Sequence, residues 1–194
     1  MNRANLLGNL ETFQAYDALE EADRRRIVAF IESEPECFHR TLLKGHVTGS
    51  AVLLSACGTE LLLNYHKFLD KWLNFGGHAD GEEDVFQVAA RELEEESGIR
   101  GAHPLRNNGI FDLGVHPIPD NPHKGEPAHT HYDIAYLFQA PEAVTFVISN
   151  ESLDMKWVTF DEARQMPIDA RMRRMLQKIA ALNAMASDSG CCLQ

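Results

Sequence analysis

The order of segments along this chain predicts an α/β fold: a mixed sheet with helices packed on it, preceded by an N-terminal helical extension. Three observations carry the prediction. Short β-rich runs stand on both sides of a strongly amphipathic helical stretch. A second amphipathic stretch comes late in the chain. The first 44 residues have apolar positions at helical rather than alternating spacing.

Within residues 1–44, Ala18, Ile27, Val28, Phe30 and Ile31 share a helical spacing, with Glu20–Arg26 as a charged face. Pro35 ends the helix because it has no N–H to extend the hydrogen-bond ladder. The main domain is expected over 45–186. Val47–Ala56 and Glu60–Tyr65 are β-rich runs separated by Cys57-Gly58-Thr59, which reads as a hairpin. Gly76-Gly77 reads as a turn. A helix is expected from Asp84 to Ser97, closed by Gly98 in a left-handed conformation. Strands are expected near Gly109–His116 and Asp133–Gln139. The loop between them holds Pro117, Pro119, Pro122 and Pro127, which disfavour regular structure. Met155–Phe160 reads as a further strand, Ala170–Met185 as an amphipathic helix, and residues 187–194 as a flexible tail.

Composition narrows the function. The 194 residues are 44% hydrophobic and 24% charged, normal for a folded domain. Acidic residues number 29 against 18 basic, a net charge of −11. Wrapping a nucleic-acid backbone rests on Lys and Arg, so that class is excluded. If the ligand is a phosphate ester, a cation must be recruited locally, and a divalent metal is the expected choice. Uninterrupted apolar runs such as Ala51–Leu54 and Leu61–Leu63 are far below the ~18 residues of a membrane span. Residues 1–11 lack the pattern of a secretory signal. Cys37, Cys57, Cys191 and Cys192 have no framework spacing, so a reducing cytoplasm is the expected location. The final Cys191-Cys192-Leu193-Gln194 matches a prenylation pattern formally, but no basic run precedes it, and it reads as tail.

The most informative stretch is Gly77 to Ile99: Gly77, five residues, Glu83, seven residues, then Arg91-Glu92-Leu93-Glu94-Glu95-Glu96-Ser97-Gly98-Ile99. On a helix at about 100° per residue, with Glu92 at zero, Glu96 falls near +40° and Glu95 near −60°. Val85, Val88 and Ala89 occupy the same face one and two turns earlier. The three acids therefore continue the core-directed stripe. Like charges at i,i+4 cost a helix about 0.2–0.5 kcal/mol even when exposed, and burial raises that cost. A bound Mg²⁺ or Mn²⁺ removes it, because hard cations take carboxylate oxygens and keep water and substrate phosphate as further ligands. Gly76 and Gly77 allow close backbone approach, so a turn carbonyl can join the shell.

This stretch resembles the Nudix box, Gly-x5-Glu-x7-Arg-Glu-(apolar)-x-Glu-Glu-x-Gly-(apolar), with every specified position filled. The resemblance extends over roughly residues 45–165: Trp72-Leu73-Asn74-Phe75-Gly76-Gly77-His78 is similar to the usual entry to the box, although many relatives have Pro where Phe75 stands. Trp157-Val158-Thr159-Phe160-Asp161-Glu162 is similar to the late strand leading into a helix. The resemblance implies a Nudix-type α/β/α sandwich and metal-dependent hydrolysis of a nucleoside diphosphate linked to another group. By position it implies that Glu92, Glu95 and Glu96 are metal ligands or the water-activating carboxylate. It implies further that the Gly77 carbonyl joins the metal shell, that Arg91 orients the glutamates, and that Glu83 supports the site.

Outside the box, His129, His131 and Asp133 lie on one side of an extended segment, and His116 can face them from the preceding strand. Imidazoles and a carboxylate there can ligate a metal, hold phosphate, or anchor the Pro117–Ala128 loop. A zinc site needs a fourth ligand that the spacing does not supply. Glu126 and Asp120 in the loop, and Glu151 and Asp154 before the late strand, are candidates for an extra acid at the site. His46 and Thr48 begin the first sheet strand and are expected in a hydrogen-bonded structural role.

The expected partner is a small nucleotide diphosphate; neither nucleic acid nor membrane is expected, and a homodimer is left open. Markers of the CoA, NADH and dinucleoside-polyphosphate branches are missing. Pro117 and Pro119 resemble the ADP-ribose branch loosely, which makes a nucleotide sugar such as ADP-ribose the preferred substrate, with nucleoside triphosphate next. The alternatives are a nucleotide-sensing Nudix domain without turnover, against which the intact glutamates argue, and an isopentenyl diphosphate isomerase-like chemistry, for which Cys57 is poorly placed.

Overall fold

In the computed structural model, which describes residues 2–122, 125–149 and 152–189, the chain opens with two helices. Helix α1 (Arg3–Thr12) starts at Asn2, whose side chain accepts the Asn5 N–H. Helix α2 (Ala18–Ser33) is capped reciprocally. Asp17 accepts the backbone N–H of Glu20 at 2.7 Å, while Glu20 turns back to the N–H of Tyr16 at 2.6 Å. The other Glu20 oxygen accepts the Leu113 N–H at 3.2 Å. Glu20 and Asp23 are buried, which corrects the expectation that Glu20–Arg26 is uniformly a charged outer face. Glu20 turns inward because it satisfies backbone donors there. The helix stops two residues before Pro35, as that residue's missing N–H predicts.

Strands β1 (Gly45–Leu54) and β2 (Glu60–His66) form the expected antiparallel hairpin, with Leu53 opposite Leu62 and Leu54 opposite Leu61. Two short strands follow, β3 (Lys71–Leu73) and β4 (Phe75–His78), and then helix α3 (Val85–Ser97). Gly76-Gly77, expected as a turn, lies inside β4, which pairs with β1. A Cβ on Gly76 would stand 2.6 Å from the Ser50 Cβ and 3.0 Å from the Gly49 carbonyl, so the glycines serve close strand contact. Left-handed backbone falls instead just downstream, at Asp80 and Gly81.

The rest of the chain supplies β5 (His103–Pro104), β6 (Asp112–Ile118), β7 (His129–Gln139), β8 (Ser152–Thr159), α4 (Phe160–Gln165) and α5 (Ala170–Ser189). Strand neighbours run β3-β2-β1-β7-β5, with β4 also on β1, β6 on β7 and β8 on β2. This is the α/β architecture with N-terminal helices that the sequence predicts.

Contacts divide the chain into two units. The first comprises the described parts of Met1–Ser50, Gly76–Glu92 and Gly109–Tyr136. Its core includes Ile27, Ile31, Phe111 and Leu113, and Phe30 stacks on Tyr132 with ring centres 3.8 Å apart. The N-terminal helices are therefore built into this unit. The second comprises the described parts of Ala51–Phe75, Leu93–Asn108 and Leu137–Gln194. Its core includes Leu61–Leu63 of β2, Met155 and Val158 of β8, and Met172, Met175, Leu176 and Ile179 of α5.

Candidate active site

Helix α3 is shaped by its sequence at both ends. Asp84 precedes it and accepts the Gln87 N–H at 3.3 Å, and Gly98 closes it with φ +71° and an N–H to the Glu94 carbonyl at 2.8 Å. Val85, Val88, Ala89 and Leu93 are buried. Glu92 and Glu96 continue that stripe half-buried, while Glu94 and Glu95 are exposed, so Glu95 marks the solvent edge of the acidic face.

Glu92 is held closely by its neighbours. Its side chain is 14% exposed and its carboxylate rests against Gly77. A Cβ at position 77 would come 2.5 and 2.6 Å from the two carboxylate oxygens, so only glycine leaves that cradle open. Arg91 binds Glu92 with one terminal nitrogen, 2.8 Å from Oε1, and donates with the other to the His78 carbonyl at 2.9 Å. The guanidinium thus ties the end of β4 to the carboxylate. A half-buried carboxylate in a cradle without a Cβ, with two more acids within one helical turn, is an oxygen donor set suited to a hard divalent cation. Glu83, just ahead of the helix, has a partner of its own. Its carboxylate accepts the Arg3 backbone N–H at 3.0 Å and stands 3.8 Å from the Arg3 Nε, which ties it to the start of α1.

The histidines converge more fully than the sequence indicates. His129 and His131 of β7 meet His46 of β1 and His78 of β4, with one ring nitrogen from each within 4.8 Å of all the others. His129 Nε2 is 3.0 Å from His131 Nε2, and His129 Nδ1 is 2.8 Å from the Pro127 carbonyl. Burial pushes the imidazole pKa values down, to about 4 at His46, about 3 at His78 and about 2 at His131, and at His46 and His78 the Arg40 guanidinium adds to this while Asp80 opposes it. These three rings are neutral at pH 7. His116 stands directly opposite His131 in the β6–β7 register. Asp133 is buried, with its two oxygens accepting from the Thr48 hydroxyl at 2.6 Å and the Ser50 hydroxyl at 2.5 Å.

His46 and His78 are the members that the sequence reading did not assign to this cluster. One signal was present: His46, Thr48 and Ser50 alternate along β1 as His129, His131 and Asp133 do along β7, which marks two polar strand faces. Of the other candidate acids, Glu126 forms a backbone bridge with Asn121 across the proline loop, and Asp120 is exposed there. Asp154, on β8, accepts the N–H of Met155 at 2.8 Å. Glu151 and the C-terminal Cys191–Gln194 lie outside the described residues.

Comparison with known proteins bears on the family and the fold. The family model described as a NUDIX domain matches residues 45–179. Among curated proteins none matches the chain. Solved structures do. An Ap4A hydrolase of C. elegans has a TM-score of 0.57 at 22% identity, over 71% of this chain and 97% of its own. A MutT protein from Methanosarcina mazei Go1 has a TM-score of 0.52 at 20% identity, over 73% and 97%. The M. smegmatis Nudix hydrolase RenU has a TM-score of 0.51 at 18% identity, over 73% and 88%. At these identities the likeness speaks for the fold, while the match over 45–179 speaks for the family. With the filled Gly77–Ile99 motif folded as a strand and an acid-bearing helix, the chain belongs to the Nudix hydrolase family.

Proposed function

We propose that the protein is a divalent-metal-dependent pyrophosphohydrolase, cleaving a nucleoside diphosphate linked to another moiety. The observation that carries this reading is the Glu92 carboxylate seated on Gly77 and clamped by Arg91, on a helix that brings Glu95 and Glu96 to the same face. Glu92, Glu95, Glu96 and the Gly77 carbonyl would hold Mg²⁺ or Mn²⁺. When bound, the cation neutralises phosphate charge and lowers the pKa of water.

The protein's own groups do the rest. Arg91 holds Glu92 in one orientation, which leaves the carboxylate little freedom to swing towards solvent. Gly77 keeps the strand close enough for that contact. One of the helix carboxylates accepts the proton of the attacking water. A nucleotide sugar such as ADP-ribose is the preferred substrate and a nucleoside triphosphate the next. The Ap4A hydrolase among the structural neighbours places dinucleoside polyphosphates in the test set as well.

Chromatographic detection of the cleaved nucleotide, across nucleotide sugars, dinucleoside polyphosphates and nucleoside triphosphates, with Mg²⁺ or Mn²⁺ and again with a chelator, tests the proposal. Turnover of at least one class that vanishes on chelation supports it. Nucleotide binding without turnover of any class would replace it with a sensing role.

A further inference from the structure

We propose that His46, His78, His129 and His131 form a second metal site, for a single borderline dication of the Zn²⁺ type, distinct from the carboxylate site on α3. The inference stands on the geometry of the first unit alone and does not depend on the hydrolytic reading.

The dimensions fit. A zinc ion takes imidazole nitrogens at about 2.0–2.1 Å, so tetrahedral ligands stand about 3.3–3.4 Å apart. Here one nitrogen per ring lies within 4.8 Å of the other three, and the shortest pair is already at 3.0 Å. Ring centres tell the same story. For four imidazoles around one zinc they would be separated by about 5.2 Å, given the bond length and ring size. The observed separations are 4.8 Å for His46–His78, His46–His129 and His129–His131, 4.9 Å for His46–His131 and 5.1 Å for His78–His131. Small side-chain rotations close the remaining gap.

The hydrogen bonding points the same way. His46 is 3% exposed, and neither of its ring nitrogens makes a well-formed hydrogen bond, the Leu42 backbone being a weak partner beside it. A buried polar group in that state is unfavourable, and coordination of one nitrogen removes part of that cost. His129 donates from Nδ1 to the Pro127 carbonyl, which leaves Nε2 with its lone pair facing the cluster. A backbone carbonyl behind a ligating imidazole is the usual outer support of a metal histidine. His78, His129 and His131 are half-buried rather than sealed, which leaves a route for the ion.

The chemistry selects the ion. Four imidazoles offer nitrogen and no carboxylate oxygen, so the cluster suits zinc rather than Mg²⁺ or Mn²⁺, which prefer oxygen donors such as the glutamates. Four ligands also complete the tetrahedral shell and leave no position for a reacting water, the mark of a structural ion. It would join β1, β4 and β7 where His78 follows Gly77 directly and offers its carbonyl to Arg91. The ion would thereby steady the strand on which Glu92 rests.

The test uses tag-free protein, so that no added histidines compete. The protein is loaded with Zn²⁺ in excess Mg²⁺, freed of unbound metal by gel filtration and analysed for zinc. Wild type should keep on the order of one zinc per chain. Glu96→Gln should keep the same amount, and the double variant His129→Gln, His131→Gln should lose it. If that variant folds poorly, Co²⁺ loading of wild type gives an independent reading. A four-nitrogen tetrahedral site shows a visible d–d band without thiolate charge transfer. Zinc that washes off wild type, zinc retained by the double variant, or cobalt with an octahedral spectrum would overturn the proposal. So would competition by inorganic phosphate at these histidines, which would make the cluster an anion site.

Discussion

Gly77 shows how a single residue can be decided by its neighbour. The sequence marks it as the opening glycine of the motif and offers its carbonyl as a ligand, whereas the structure shows that any side chain there would displace the Glu92 carboxylate. Gly77→Ala should therefore fold, because the atoms that must yield are the far end of a flexible side chain. It should lose activity by roughly 10²-fold, since a displacement of about 1 Å at a reacting site costs that much. Rates and melting temperatures measured together check this; a fully active alanine variant would show that the Glu92–Gly77 contact has no catalytic weight. Cys57 gives a second residue-scale prediction. Hydrogen bonds from the Ser55 and Thr59 hydroxyls lower its pKa to about 7, while burial raises that of Cys37 to about 11. Because the thiolate is the nucleophile, alkylation of Cys57 should be half-maximal near pH 7 and fade below it, with Cys37 inert across neutral pH. Peptide mapping of iodoacetamide adducts reads each cysteine separately.

At the scale of elements, legibility follows the number of independent signals. Helix α3 is found almost to the residue because the apolar stripe, Asp84 and Gly98 all agree on its limits. The β1–β2 hairpin is found for similar reasons. Strand β4 is missed because two glycines read as a turn, although here Gly76 permits close packing on β1 and Gly77 makes room for Glu92. The two-residue β5 and the six-residue α4 are too short for a periodicity to show. The histidine cluster is only half legible. His129 and His131 share a strand, but their partners come from β1 and β4, far away in sequence. The buried turn of Glu20 was hidden because nothing in a charged run says which acid points inward. Its role gives a test: Glu20→Ala removes the acceptor of two N–H groups and should cost about 2–4 kcal/mol, with Glu20→Gln costing less. Denaturant unfolding at neutral pH checks both, and an unchanged midpoint in the alanine variant would contradict the capping account.

At the scale of the whole molecule, a net charge of −11 means that the proposed phosphate substrate would need local positive charge, which a bound divalent cation would supply. The family match, the acid-bearing face of α3 and the Gly77 cradle converge on that requirement. Removal of Glu96 tests it most directly. Glu96→Gln keeps the shape of the side chain and removes one carboxylate charge, so the fold should melt as wild type does in the absence of added metal. The measurement is kcat for the best substrate of the screen at saturating Mg²⁺, wild type against Glu96→Gln. A fall of about 10²-fold or more at unchanged melting temperature is expected if the carboxylates of α3 run the reaction. A variant that turns over at close to the wild-type rate would contradict it and move the catalytic centre away from this helix.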